Sequence, residues 1–76
     1  MISTIENIAL GRGYKSLVAV KQFPHHKDFY LYTVLIDRGD LNEPYVVWTY
    51  NATDKGFHYG QYCSTQEQAL EIFNGR

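Results

Sequence analysis

A chain of 76 residues, 45% hydrophobic and 20% charged, is too short for a second core and too apolar to stay disordered, so residues 1–76 are expected to form a single globular domain. The net charge of −1 argues against the basic footprint of most nucleic-acid binders. No apolar run approaches the ~20 residues of a membrane span, Met1–Glu6 lacks the form of an export signal, and the single Cys63 cannot close an internal disulfide, so the expected compartment is the cytoplasm.

Ser3-Thr4-Ile5-Glu6 has the S-x-x-E form of a capping box, in which hydroxyl and carboxylate satisfy the free N–H groups at a helix start. Ile5, Ile8 and Ala9 follow at helical spacing, and Gly11 and Gly13 supply the stop, which predicts about two turns. Leu17–Gln22 is rich in β-branched residues and is predicted as the first strand, ending at Phe23-Pro24-His25-His26 because proline cannot continue a ladder. Phe29–Ile36 is the longest apolar run; with no polar alternation it predicts a central strand buried on both faces. Turn residues from Arg38 to Pro44 break it before a third strand, Tyr45–Tyr50. In the next turn, Gly56 is expected to take the left-handed conformation and lead into a fourth strand, Phe57–Cys63. Ser64-Thr65-Gln66-Glu67 repeats the capping-box form ahead of Ala69, Leu70 and Phe73, one face of a closing helix. The fold class is therefore α+β in the order α-β-β-β-β-α, a four-stranded antiparallel meander with both helices on one face.

Simple alternation through short connections puts Val18, Val20, Leu31, Leu35, Val46 and Trp48 on the core face. Trp48 is expected to lie across Gly60, covering the gap a glycine leaves in a sheet. Leu17, Ala19, Tyr30, Tyr32, Val34, Tyr45, Val47 and Thr49 then share the other face. With both helices on the first face, the second would expose Tyr30, Tyr32 and Tyr45, joined by Tyr59, as a patch for binding; with the helices on opposite faces, both faces would be covered and the tyrosines would be ordinary strand residues.

The run from Tyr45-Val46-Val47-Trp48 through Gly60-Gln61-Tyr62 to Gln68-Ala69-Leu70-Glu71-Ile72-Phe73 resembles a pattern in short uncharacterised bacterial proteins, often of Gram-positive or mobile-element origin. The resemblance covers less than half of the chain; it implies this fold and a bacterial or phage source, and no activity.

Catalytic groupings are missing from the sequence. There is no Ser-His-Asp set, no paired carboxylates of hydrolase type, and Gly11-Arg12-Gly13 is too short for a phosphate loop. His25, His26, Asp28 and His58 are the conceivable metal ligands, but adjacent histidines point apart and zinc needs three or four converging donors. Arg38-Gly39-Asp40 is read as a turn, and Asn51-Ala52-Thr53 as a chance glycosylation match. Charge is split: residues 1–27 carry Arg12, Lys15, Lys21 and Lys27 against Glu6, while the remainder is acidic.

The expected function is a non-enzymatic binding or regulatory domain, without cofactor, metal or small-molecule ligand. Its tyrosine-bearing sheet surface would meet a protein partner or a second copy. The first alternative is single-stranded nucleic acid stacked on the same aromatics, with Lys15, Lys21 and Lys27 holding phosphates. The second is a thiol-dependent activity at Cys63, beside the last helix's N-terminus.

Overall fold

A computed structural model describes residues 2–22 and 30–76. Pro24, the His25, His26 and Asp28 cluster, Lys27 and Phe29 lie outside the described residues. The elements are α1 (Ile2–Gly11), β1 (Ser16–Gln22), β2 (Leu31–Asp37), β3 (Tyr45–Asn51), β4 (Gly56–Cys63) and α2 (Gln66–Gly75). The strands form one antiparallel sheet in the order β1-β2-β3-β4, the expected α+β meander.

Local signals act within a residue or two of where they stand. Helix α1 begins at Ile2, ahead of Ser3, so the first capping box does not mark its start. Its end is a Schellman turn: Gly13 has φ +84°, its N–H bonds the Leu10 carbonyl, and Tyr14 N–H bonds that of Ala9. Helix α2 is capped by Thr65 rather than Ser64; Thr65 Oγ1 accepts from Gln68 N–H at 3.2 Å, the T-x-x-Q form of the same motif. In the β3–β4 turn the left-handed residue is Lys55, φ +57°, and not Gly56. Gly56 is required for space, because a Cβ there would stand 2.9 Å from Asp54 Oδ1 and 3.0 Å from His58 Nε2.

The helices lie on opposite faces of the sheet, the second of the two arrangements the sequence allows, and not both on one face. Ile5 and Ala9 of α1 pack with Val34, Ile36, Val46, Tyr50 and Phe57; Ala69 and Phe73 of α2 pack with Leu35, Val47 and Cys63. Leu70 is partly exposed, and Ile72 packs beside Phe73 instead. The physical reason is β2, where Thr33, Val34, Leu35 and Ile36 are all buried, so either face left open would put aliphatic surface in water.

Register explains the wrong division of side chains. Asp37 pairs with Tyr45 and Leu31 with Asn51, so even-numbered residues of β2 share a face with even-numbered residues of β3. Val34 thus joins Val46 and Trp48, while Leu35 joins Val47. The expected grouping was displaced by one residue, and in a sheet that exchanges the faces. In β1 the register shifts between Leu17 and Ala19. This bulge leaves Val18 exposed and puts Leu17 on the same side as Val20.

Trp48 does lie against Gly60: a Cβ at Gly60 would come within 2.5 Å of Trp48 Cζ3. The indole stacks on Phe57 and meets Tyr62 edge-on, with centroids 6.0 and 5.8 Å apart. Arg12 covers Phe57 at 4.9 Å and Arg38 covers Tyr62 at 4.5 Å. Two guanidinium planes therefore shield the β4 side of the α1 face.

Phe73→Ala should destabilise the fold by about 3–5 kcal/mol, since it empties the centre of the α2 layer; thermal melts followed by circular dichroism measure it. Alkaline pH should also weaken the fold. Burial is the main cause raising the Tyr50 phenol above 10.0 and the Cys63 thiol above 9.0. A raised folded pKa means that the neutral forms stabilise the fold fully below those ordinary values and that this contribution is lost as pH climbs through the raised ones. The melting temperature should fall on going from pH 8 to pH 11, and fall less in Tyr50→Phe.

Candidate functional site

The four candidate tyrosines do not form one patch. Tyr32 lies on the α1 face, packed against that core with its ring 6.3 Å from Tyr50. Tyr45 lies on the α2 face, where it packs beside Val47 and Cys63 and its hydroxyl reaches Gln66 Oε1 at 3.5 Å. The β2–β3 register separates these two, so the proposed contiguous surface of Tyr30, Tyr32 and Tyr45 is corrected by the fold. Tyr30 and Tyr59 are brought together instead.

They line an open cleft of about 370 Å³ with Leu31, Thr49, Asn51, Asp54 and His58. It sits at the end of the sheet formed by the start of β2 and the β3–β4 turn. Tyr30 stands just before β2, where its carbonyl accepts from Ala52 N–H at 2.9 Å and ties the two segments. On the opposite wall, Asp54 is fixed by three contacts. Its Oδ1 accepts from Gly56 N–H at 2.8 Å, and His58 Nε2 lies 3.3 Å from Oδ1 and 3.1 Å from Oδ2.

Tyr59 owes its position to a second bulge. The β3–β4 register shifts between Val47 and Thr49, and Tyr59 absorbs the extra residue with φ +57°. That region costs a residue with a Cβ about 1–2 kcal/mol, and bulges re-aim side chains. Here Tyr59 is 82% exposed. Arg76 holds the irregularity in place: its guanidinium donates to the Tyr59 carbonyl at 2.6 Å, to Gln61 Oε1 at 3.0 Å and to Thr49 Oγ1 at 3.1 Å. Partial desolvation lowers the Arg76 pKa below its ordinary value.

Sequence reasoning singled out Tyr30 and Tyr59 but missed Arg76, Asp54 and the cleft itself. One signal was present: an isolated glycine inside a strand, Gly60, marks a bulge or a close approach, and here it marks both.

Cys63 is 1% exposed, its Sγ–H points to the Gln61 carbonyl at 3.8 Å, and burial raises its pKa. Burial and a raised pKa both oppose thiolate reactivity. His58 is engaged with Asp54, and no cluster of three or more metal-binding side chains occurs among the described residues. No described helix is long and apolar enough to cross a membrane.

Comparison with known proteins finds no matching family model, no matching curated protein and no matching solved structure.

Tyr59→Gly should raise stability by about 1 kcal/mol, because glycine adopts the left-handed region without strain. Arg76→Ala should lower it by about 1.5–3 kcal/mol through loss of charged hydrogen bonds. Urea denaturation of both variants checks the pair, and a Tyr59→Gly variant no more stable than wild type would show that the bulge carries no strain.

Proposed function

We propose that this chain is a small, non-enzymatic, cytoplasmic binding module whose recognition site is the cleft between Tyr30 and Tyr59, and whose partner is a protein. The observation that carries this reading is the backbone of Tyr59. A large aromatic residue occupies a conformation that disfavours it, and its ring stands in water. Strain of this kind concentrates where side-chain direction matters for function. Tyrosine suits the task, since it offers broad contact area and a hydrogen-bonding tip with few rotatable bonds. A cleft of about 370 Å³ is at the small end for ligand sites, room for one or two side chains of an extended segment.

Binding is a better account of the site than turnover. The Asp54–His58 pair has the form of an acid–base dyad, yet the Thr49 hydroxyl beside it is buried and engaged by Arg76, and no activated nucleophile joins it among the described residues. Single-stranded nucleic acid fits less well: Phe57 and Tyr62 already carry Arg12 and Arg38 on their rings, which occupies stacking surfaces and cations that bases and phosphates would need.

The test is amide chemical-shift mapping on the labelled chain, titrated with a mixed library of extended hexapeptides. Perturbations are expected at Tyr30, Asn51, His58 and Tyr59 and should weaken in Tyr59→Asn, which retains the left-handed backbone. Shifts centred on Trp48 and Tyr62, or on Arg12 and Arg38, would place recognition elsewhere and sink the reading.

A further inference from the structure

The domain supplies internal partners to several of its surface carboxylates and rings. In the β2–β3 loop, Asp37 Oδ1 accepts from Gly39 N–H at 2.9 Å, and its Oδ2 has Lys15 Nζ at 3.9 Å. Asp40 Oδ2 accepts from Asn42 and Glu43 N–H at 3.0 and 2.9 Å, in the turn that closes residues 38–44. Rings are treated in the same way: Arg12 lies on Phe57, Lys21 on Phe73 and Arg38 on Tyr62, at 4.9, 5.0 and 4.5 Å from the centroids. In each case the chain brings its own cation to the aromatic face.

The cleft at the other end of the sheet differs. Its described lining includes one carboxylate, Asp54, and no lysine or arginine. The Asp54 side chain is 52% exposed. Its donors are Gly56 N–H and His58 Nε2; a backbone N–H and a neutral imidazole leave its charge in place. A carboxylate has about four acceptor positions, so Asp54 has room for a further donor. Tyr59, the most exposed of the described aromatic residues, has the His58 ring as its neighbour at 6.3 Å, and no described lysine or arginine lies on its face. Arg76 does reach Thr49 Oγ1 in the lining, but its guanidinium is committed there, to the Tyr59 carbonyl and to Gln61 Oε1.

We infer that the cleft takes a cationic side chain, the guanidinium of an arginine or the ammonium of a lysine, from an extended segment of the protein partner. This rests on the cleft being the recognition site, and it names the chemistry that fills it. A carboxylate with acceptor capacity and an open tyrosine ring line the same small space, and a cation answers both at once. Its N–H groups donate to Asp54 while its face or methylene stem lies on Tyr59. The guest thereby repeats, between chains, the pairing that Arg12, Lys21 and Arg38 make within this one.

Blocked hexapeptides that are identical but for one central residue test the inference, titrated into the labelled full chain and followed at the amides of Tyr30, Asn51, His58 and Tyr59. The central residues are arginine and its neutral isostere citrulline, lysine and acetyllysine, leucine, and glutamate. Arginine over citrulline, or lysine over acetyllysine, should bind about fivefold or more tighter. That preference should shrink as sodium chloride is raised from about 20 to 500 mM. Asp54→Asn, which keeps an oxygen for Gly56 N–H, should bring the ratio close to one, and Tyr59→Asn should weaken the cationic peptides. Neutral isosteres that bind as well as the cations, a glutamate peptide that binds best, or a charge preference that survives both high salt and Asp54→Asn would each overturn the inference. The salt series on wild type decides the matter even where a variant fails to fold. If leucine and citrulline peptides shift the cleft amides as strongly as arginine, the recognition site stands and its charge selection falls; if no peptide shifts them, both fall together.

Discussion

The constraint on which the rest depends is a central strand that is apolar on both sides. Four consecutive residues of β2, Thr33 to Ile36, are buried, and successive side chains in a strand point to opposite faces. No arrangement with a single covering layer could keep all of them from water. The chain therefore divides its two ten-residue helices between the faces. Neither helix is long enough to be stable alone, so each is held by the side of the sheet it covers.

This division leaves each face incompletely covered, and the gaps are closed by different means. On the α1 side, Trp48 lies in the space over Gly60, and Arg12 and Arg38 lie on the flanking rings. Cationic planes with long aliphatic stems do there what a third helix would do in a larger domain. On the α2 side, Lys21 and Arg76 extend the cover, Lys21 over the Phe73 ring at 5.0 Å and Arg76 across Thr49. Beyond Arg76 the cover given by the described residues ends, and there the cleft opens. The site is thus a consequence of how far a short helix reaches along a longer sheet.

The bulge at Tyr59 joins the packing to the site. Gly60 lets β4 pass the indole of Trp48 without a Cβ in the way, and the extra residue turns Tyr59 out of the ladder toward the cleft. The same irregularity interrupts an edge strand that would otherwise offer a continuous row of donors and acceptors. Packing, edge protection and side-chain direction meet in three residues, Tyr59, Gly60 and Arg76.

The amino-acid sequence by itself determined the element types, their order and the antiparallel meander, because periodicity, turn residues and capping motifs act over a few residues. It also determined the Trp48–Gly60 contact, where a ring and a missing side chain stand on strands joined by a short turn. Which face each side chain occupies was decided only by the tertiary structure. The β2–β3 register depends on how residues 38–44 close on Asp37 and Asp40, and two bulges each add one residue; a displacement of one is invisible in composition yet exchanges the faces of a sheet. For that reason Tyr32 and Tyr45, adjacent in a simple reading, lie on opposite sides. Tyr30 and Tyr59, 29 positions apart in the chain, line one cleft because a helix stops short, a strand bulges and Arg76 fixes the Tyr59 carbonyl.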